Sequence, residues 1–477
     1  MKKTIALLLL AALCVYNYAT HAASDQDPYR FTDYSRLHPV KVKRVVPGRE
    51  EEQLIAIVKE AKRHGWTISI AGQRHSQGGH TYYKDGIVVD MTPFNRILAF
   101  DPAARTIRVQ AGATWKDIQD KINPYGLSVK TMQSQNVFTV GGSISVNAHG
   151  RDIRNGSLIK SVESFRLLTA DGRIIRVSRT ENQELFPLAL GGYGLFGIIL
   201  DVTLTLTGDE MYRITTKQLS VTQYTDYFKN AVLADPHNRM HIARISVAPD
   251  RFLADMYAIT YKVDNTVPLD EHNQLTSEEK WVAPGKLLFQ LNRSSDWGKN
   301  AFWKLQTTLL GKQDGTIISR NNAMRANSDF MAYNEAGKND LLQEYFIPID
   351  EFEPFLQDMK PIVNNNGLNL LNITVRYVNR DEEAALSYAK EDMFALVCLF
   401  NVSLSERGQA ATRKAIRQLI DAALKHRGSY YLPYAPYPSL EQFRQAYPRY
   451  GDFFAKKEQY DPNRLFMNYF YEQYKGE

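Results

Sequence analysis

The sequence predicts an α+β protein built from two domains. At 477 residues the chain is longer than one ordinary hydrophobic core supports, and 44% of its residues are hydrophobic, enough for two cores. Glycine-rich passages stop before Gly208, whereas mixed helical and strand patterns continue beyond it. We therefore expect a first domain over residues 37–208, a second over residues 209–429 and a separate C-terminal segment over residues 430–477.

The first residues differ from the rest of the chain. Lys2 and Lys3 precede an apolar run over residues 5–15, and small residues that include Ala22 follow it. This order is typical of a secretory signal peptide, which we place at residues 1–22. A membrane-spanning helix needs about 20 apolar residues. The shorter run therefore predicts an exported protein, periplasmic or secreted, with no stable membrane span.

Charge and cysteine content argue against several classes of function. The formal net charge of +6 is spread without long basic blocks, so nucleic acid is not an expected partner. The only cysteines are Cys14, in the predicted signal peptide, and Cys398, in an apolar run that predicts a buried thiol. Two cysteines cannot hold an iron–sulfur cluster or a thiolate zinc ion, and we predict no metal site. Redox chemistry would then depend on an organic cofactor.

Local patterns predict the elements of the first domain in order. Apolar residues recur at helical spacing over residues 50–64, and Gly65 is placed to end that helix. Thr114 is placed to cap a second helix that ends near Ile122, and a helical pattern also covers residues 182–190. Strand patterns cover residues 67–70, 87–90, 97–100, 106–110, 162–169, 173–177 and 198–207, of which 162–169 and 173–177 form a hairpin.

Three passages between these elements are rich in glycine and small polar residues. They cover residues 71–80, 139–150 and 191–197. Successive backbone N–H groups in such turns can bind a diphosphate closely, although tight turns alone would also explain the glycines. Residues 192–197 match the dinucleotide motif G-x-G-x-x-G, but a helix precedes them and a strand follows, the reverse of a Rossmann site.

Taken together and in this order, the segments 71–76, 140–150 and 191–199 resemble the FAD-linked oxidases of the vanillyl-alcohol oxidase and p-cresol methylhydroxylase (PCMH) type. The nearest branches are the alditol, aldonolactone and decaprenylphosphoryl-ribose oxidases. The resemblance implies a two-subdomain FAD-binding domain, then an α+β substrate-binding cap with an antiparallel sheet. It also implies a C-terminal segment that returns to the FAD domain, as in cytokinin dehydrogenases.

The same resemblance implies the cofactor-binding residues. Those expected at FAD are Ala71, Gly72, Gln73, Arg74, His75, Ser76, Gly141, Gly142, Ser145, Asn147, His149, Gly150, Gly192, Gly197, Ile198 and Asn468. His75 matches a position that is often bonded covalently to the 8α-methyl group of the flavin, and the alternative is a His75 that only forms hydrogen bonds. His80 lies outside the motif and is expected on the surface or in a loop.

Three further side chains are expected at the substrate. By resemblance, Glu344 and Arg376 would contact substrate hydroxyl groups, and His149 would lie at the flavin edge. The alternatives are a salt bridge between Glu344 and Arg376, and a His149 that serves only packing. Tyr434 is expected to reach the same pocket.

The function implied is oxidation of a CH–OH group of a sugar, polyol, aldonolactone or similar small molecule by hydride transfer to flavin N5. Oxygen or another acceptor would reoxidise the flavin, and the sequence does not indicate an oligomeric state. Two alternatives stay open: oxidation of a C–N bond, as in cytokinin dehydrogenases, and an exported flavin-binding protein without catalysis. The His-Trp-Ala-Lys segment of aldonolactone oxidases is absent. The acidic base of cytokinin dehydrogenases would fall among Ser134, Gln135 and Asn136.

Overall fold

The computed structural model describes residues 2–21, 27, 30–276, 282–325 and 329–476. It is a mixed α+β structure with three sheets, and the predicted fold class is confirmed. The chain begins with helix α1 (Lys2–His21), whose apolar side chains are mostly exposed. Its stretch Lys3–Thr20 is long and apolar enough to cross a membrane, a test that signal sequences near an N-terminus also pass. Ala22 lies outside the described residues.

The first sheet is small and parallel. Its elements are β1 (Arg44–Pro47), α2 (Glu51–His64), β2 (Ile68–Ala71) and β3 (Ile87–Asp90), with strand order β1-β3-β2. Helix α2 buries a stripe that includes Leu54 and Val58, and it ends where Gly65 adopts a φ of 64°. The predicted helix is confirmed, and β2 begins one residue later than expected.

The second sheet is antiparallel and completes the first domain. Its elements and flanking helices are β4 (Ile97–Asp101), β5 (Thr106–Gln110), α3 (Trp115–Ile122), β6 (Leu127–Val129), α4 (Val140–Ser145), β7 (Val162–Leu168), β8 (Ile174–Ser178), α5 (Leu185–Ala189) and β9 (Ile198–Gly208). The strand order is β4-β5-β9-β7-β8, and β6 pairs with the end of β9. The predicted β7–β8 hairpin is confirmed, as is the cap at Thr114, which forms a capping box with Asp117.

One predicted helix is shorter than expected. The pattern over residues 182–190 yields only α5, because Asn182 has a φ of 46° and its side chain donates to the Arg176 carbonyl oxygen at 2.6 Å. Leu190 is already extended, with a ψ of 107°. A left-handed residue before the helix and an extended one after it limit α5 to about one turn.

The third sheet has eight strands, all paired antiparallel. Its elements and their helices are β10 (Met211–Ser220), α6 (Val221–Tyr227), β11 (Asn238–Ile245), β12 (Asp255–Val263), α7 (Val282–Ser294), α8 (Asp296–Leu310), β13 (Ile317–Ser319), α9 (Arg320–Ala323), β14 (Lys338–Pro348), α10 (Phe352–Asn365), β15 (Asn369–Val378), β16 (Met393–Ser403), α11 (Glu406–Lys425) and β17 (Ser429–Tyr430). The strand order is β13-β10-β12-β11-β15-β16-β14-β17.

The two faces of this sheet are covered differently. Helix α10 packs on one face, where Phe355 meets Tyr345 of β14 with ring centroids 5.7 Å apart. On the other face, Trp303 of α8 stacks on Tyr257 of β12 at 5.4 Å. Side chains alternate along a strand, so this second face also carries Glu344. It is turned toward the first domain.

Three helices end the chain: α12 (Leu440–Ala446), α13 (Tyr450–Tyr460) and α14 (Tyr469–Lys475). Between α13 and α14 the backbone runs beside β2 of the first sheet. The Ile68 N–H donates to the Leu465 carbonyl oxygen at 2.6 Å, and the Met467 N–H donates to the Ile68 carbonyl oxygen at 2.9 Å. The C-terminal segment thus contacts the strand that leads into the first glycine-rich passage.

Candidate active site

The structure brings the three glycine-rich passages together. A Cβ atom on Gly72 would lie 2.2 Å from Thr139 Oγ1, so the first passage touches the second at the start of α4. The Gly191 N–H donates to the Ile144 carbonyl oxygen at 2.9 Å, which joins the third passage to the end of α4. These contacts form one cradle of closely spaced backbone.

Several glycines are required by backbone packing within this cradle. A Cβ atom on Gly150 would lie 2.3 Å from the Met132 carbonyl oxygen, and one on Gly192 would lie 2.1 Å from the Leu188 carbonyl oxygen. Gly197 has a φ of 146°, which disfavours other residues. Gly141 donates its N–H to the Ala111 carbonyl oxygen at 2.8 Å.

The remaining predicted cofactor residues divide into accessible and engaged groups. Three of these residues are exposed: Gln73, Arg74 and Gly142. Two are half-buried: Ser76 and Ser145. Two are buried, namely Ala71 at the end of β2 and Ile198 at the start of β9. The Asn147 side chain is already engaged, since its Nδ2 donates to Asp381 at 2.8 Å. Asn468 caps α14, and its Nδ2 donates to the Tyr193 carbonyl oxygen at 2.9 Å. The side chains of these two asparagines therefore hold the cradle together.

His75 lies between two aromatic rings. Its ring stacks on Tyr34 with centroids 5.8 Å apart and meets the edge of Phe138 at 4.6 Å. The side chain is accessible to solvent although protein atoms surround it, as expected for a residue that lines a cavity. Partial desolvation lowers the pKa of the imidazole. His75 is therefore held as a neutral ring at neutral pH.

An N-terminal strap, which we define as residues 31–40, lies over the first glycine-rich passage. The Tyr34 N–H donates to the Arg74 carbonyl oxygen at 3.1 Å, and the Asn339 side chain donates to the Tyr34 carbonyl oxygen at 2.8 Å. Asp33 is buried and accepts the Gly79 N–H at 2.8 Å. Burial raises the pKa of Asp33 to about 6. The strap therefore connects the passage to β14.

His149 and Glu344 form a buried pair between the first domain and the eight-stranded sheet. Glu344 Oε1 lies 2.8 Å from His149 Nε2, and the two side chains are 1% and 4% exposed. The atoms are not aligned for a hydrogen bond, so this Oε1 has no donor, and His149 Nδ1 has no partner either. Buried polar atoms without partners are rare in folded proteins, which makes this position a candidate ligand site.

Arg376 lies on the same sheet face but does not form the salt bridge that the sequence left open. Its Nη2 donates to Ser134 at 2.6 Å, and its Nε has no acceptor. In register, Arg376 lies beside Ala395, and Ala395 lies beside Phe346. A small side chain thus separates Arg376 from Phe346 across the sheet. Burial lowers the pKa of Arg376, and the negative charge of Glu344 partly opposes that shift.

Tyrosines enclose the His149–Glu344 pair. Tyr388 and Tyr431 both lie 5.7 Å from the His149 ring, measured between centroids. The Tyr388 hydroxyl donates to the Asn147 carbonyl oxygen at 2.7 Å, so it is tied to the cradle. Burial raises the pKa of Tyr434 well above its ordinary value, and the nearby Glu344 charge adds to that shift. Tyr434 therefore remains a neutral hydroxyl beside the carboxylate.

The loop position expected for His80 is confirmed, and this loop is buried. His80 lies in a loop but not at the surface, because it is 6% exposed and packs against the rings of Tyr193 and Phe470. Desolvation lowers its pKa to about 3. The polar residues around His80 suggest an exposed loop, but helix α14, which is far away in the sequence, covers it.

Sequence analysis also missed residues that the fold places at the site. Arg151 follows the second passage directly, and Tyr388 lies in a loop far along the chain. Tyr34 belongs to the strap and contacts His75 only in three dimensions. Arg151 could have been identified from the sequence, because it immediately follows His149 and Gly150. No sequence pattern indicates that the two tyrosines belong to the site.

The residues present fit an FAD molecule. Ser76 Oγ and His149 Nδ1 are buried without partners in two of the three passages that form the cradle, and a side chain at Gly72 would clash where these two passages meet. His75 is accessible from the same side. Backbone donors, an accessible imidazole and free polar atoms are the groups that a large dinucleotide would use.

Comparison with known proteins agrees with this geometry. Residues 42–178 match the family described as FAD binding domain. The first part of the chain is therefore an FAD-binding domain of the PCMH type, and the resemblance predicted from the glycine-rich passages is confirmed.

Among individual relatives, the chain is 23% identical over 465 residues to decaprenylphosphoryl-beta-D-ribose oxidase of Mycolicibacterium smegmatis, covering 92% of this chain and 96% of that protein. It is 21% identical over 462 residues to L-gulonolactone oxidase of Scyliorhinus torazame, covering 93% and 98%. A 27% identical match to L-gulonolactone oxidase of Bos taurus covers 37% of this chain and 40% of that protein. The chain is thus distantly similar to FAD-linked oxidoreductases over nearly its full length.

Proposed function

We propose that this protein is an FAD-dependent oxidoreductase that oxidises a CH–OH group of a small sugar-like substrate. The observation that carries the proposal is the buried His149–Glu344 pair, which lies where the glycine cradle meets the eight-stranded sheet. The names of the full-length relatives, a ribose-derivative oxidase and a lactone oxidase, support the same class of donor.

The cradle would hold the cofactor. The backbone of the 71–76 passage and of α4 would bind its diphosphate, with Ser76 as a side-chain donor. A ring nitrogen of His75 would bond to the 8α-methyl carbon of the flavin, because the neutral imidazole is accessible and lies between Tyr34 and Phe138. The C–N bond would replace a C–H bond and the imidazole N–H bond, and the two electrons released would pass through the flavin to oxygen or another acceptor. When bound, FAD would accept the hydride from the substrate carbon.

Glu344 would accept the proton of the substrate hydroxyl group. Its Oε1 lacks a hydrogen-bond donor, so a substrate hydroxyl would supply one at the distance that proton transfer requires. His149, 2.8 Å away, would hold the carboxylate in place and share the proton afterwards. Tyr434 and Arg376 would orient neighbouring hydroxyl groups. The surrounding tyrosines would keep bulk water away and strengthen these contacts.

The test is anaerobic reduction of the bound flavin by a panel of polyols, aldonolactones, sugars and amines. Glu344→Gln keeps the shape of the side chain and removes the base, so we expect the reduction rate to fall about 100-fold or more while the oxidised flavin spectrum is retained. Glu382→Gln is the control, because Glu382 is 71% exposed on the same domain.

The panel also separates this proposal from its alternatives. Reduction by amines alone would replace CH–OH oxidation with C–N oxidation. A yellow protein that no donor reduces would indicate flavin binding without catalysis, and a colourless native protein would contradict both. Reoxidation with oxygen, compared with a dye, then distinguishes an oxidase from a dehydrogenase.

We also propose that α1 is a signal sequence and that the enzyme acts outside the cytoplasm. The support is the exposed, apolar character of this helix at the start of the chain. Mass spectrometry of the protein from an extracytoplasmic fraction should show an N-terminus near residue 23. Recovery of the uncleaved chain in the cytoplasm would contradict the proposal.

A further inference from the structure

Two arginine side chains at the candidate site have no acidic partner. Arg151 donates from Nη1 to the Ala323 carbonyl oxygen at 2.9 Å, and Arg376 donates from Nη2 to Ser134 at 2.6 Å. The Nε of each is buried and has no acceptor. Within the described part of the chain, no carboxylate lies within 4.0 Å of either guanidinium group.

The guanidinium groups of Arg151 and Arg376 lie in the same region of the candidate site. Arg151 follows His149 by two residues, and Arg376 lies on the sheet face that also carries Glu344. The positive charge of Arg151 is close enough to help lower the pKa of Arg376. The carboxylate of Glu344 contacts His149 at 2.8 Å instead of either arginine. Among the described residues, the site therefore brings two arginine cations near one carboxylate that pairs with neither of them.

Two fully buried arginines elsewhere in this protein each pair with an aspartate. Arg320 contacts Asp152 at 2.6 Å, with side chains 2% and 1% exposed. Arg293 contacts Asp340 at 2.6 Å, with side chains 4% and 1% exposed. Burying an unpaired charge costs several kcal/mol, and these pairs show how the fold avoids that cost. Arg151 and Arg376 are half-buried and lack such an aspartate, although the Nε atom of each is shielded from solvent and has no acceptor.

We propose that the substrate carries an anionic oxygen group, a carboxylate or a phosphate, that Arg151 and Arg376 bind beside the CH–OH carbon oxidised at Glu344. This inference rests on the proposed function for the position of the reacting carbon. Guanidinium groups bind the oxygens of both anions through paired N–H donors, which the two free Nε groups would supply. A hydroxyl group of a neutral polyol could accept from either Nε but would leave both positive charges unbalanced.

The test compares ribitol, ribonate and ribitol 5-phosphate, which share a five-carbon skeleton. Dissociation constants are measured from the change in the flavin absorbance spectrum of the oxidised holoenzyme, and anaerobic flavin reduction is followed separately. We expect at least one anion to bind about 10- to 100-fold more tightly than ribitol, the strength of one charge-assisted contact or more. The better of the two anions identifies the carboxylate or the phosphate as the group recognised.

Variants connect that preference to the two arginines. Arg151→Gln and Arg376→Gln should each reduce the ratio of anion to ribitol affinity about 10-fold, and Arg376→Lys should restore part of it. Arg213→Gln removes an arginine that is 47% exposed on β10 of the same sheet, and it should leave the ratio unchanged.

The outcomes separate this inference from the function it rests on. Equal affinity for ribitol and both anions would overturn it, even if all three reduce the flavin. Loss of flavin from Arg151→Gln without a change in the affinity ratio would also overturn it, since the arginine would then serve the cofactor. Tight anion binding that depends on the arginines would support it, whether or not these probes are oxidised. Failure of every donor to reduce the flavin counts against the proposed function alone.

Discussion

Replacing Asp33 in the N-terminal strap with asparagine should change how the stability of the protein depends on pH. Asp33 is 4% exposed and accepts hydrogen bonds from the Gly79 N–H at 2.8 Å and the Ser35 N–H at 2.9 Å. Burial outweighs these bonds and raises its pKa from 3.8 to about 6. In the folded protein the carboxyl group therefore holds its proton at pH values at which it is ionised in the unfolded chain.

The sign and size of the effect follow from proton linkage. A raised folded-state pKa gives a contribution that is fully present below pH 3.8 and is lost as the pH rises through about 6. A shift of this size corresponds to about 3 kcal/mol over the whole titration, and about 2 to 2.5 kcal/mol of it falls between pH 4 and pH 8. Asp33→Asn does not titrate and lacks this term.

The assay is urea unfolding of wild type and Asp33→Asn at several pH values from 4 to 8, followed by flavin release and far-UV circular dichroism. We expect the free energy of unfolding of wild type, relative to the variant, to fall by about 2 kcal/mol as the pH rises across this range. Groups that titrate in both proteins affect both free energies of unfolding equally, so their effect cancels when the two values are subtracted. A difference that is constant with pH, or that rises, would refute the burial argument.

Two further predictions concern the cradle. Acid precipitation of wild type should leave yellow colour in the pellet, whereas His75→Ala should release its flavin to the supernatant; colour that leaves wild type as well would disprove the covalent bond. Gly150→Ala would place a Cβ atom 2.3 Å from the Met132 carbonyl oxygen and should destabilise the protein by about 3 kcal/mol in thermal or urea unfolding. Gly208→Ala, where nothing lies within 4 Å, is the control, and equal effects of the two would contradict the packing argument.

The first domain could be predicted well because its signals are local. The α2 stripe, the Gly65 terminus, the Thr114 capping box and the hairpin at residues 162–178 each depend on residues within one or two turns of one another. The exception, α5, is shortened by a left-handed Asn182 that no periodicity reports. Local sequence patterns therefore predict these elements, whereas they do not predict the backbone conformation of a single residue such as Asn182.

The candidate site could be predicted only residue by residue. His149, Glu344 and Arg376 were each identified by resemblance, but whether Glu344 would contact His149 or Arg376 depends on how the sheet lies on the first domain. The same holds for Tyr34 at His75 and for the burial of His80 beneath α14. Contacts between segments far apart in the chain leave no periodic pattern in a single sequence.

The backbone bonds between β2 and residues 465–467 give this strand a second hydrogen-bonded edge, opposite the one that it shares with β3. The strand that leads into the 71–76 passage is therefore held on one side by a segment that is very distant in sequence. A truncation that removes residues 465–477 would leave that edge unpaired. We expect such a truncation to weaken flavin binding, even though the sequence around His75 is intact.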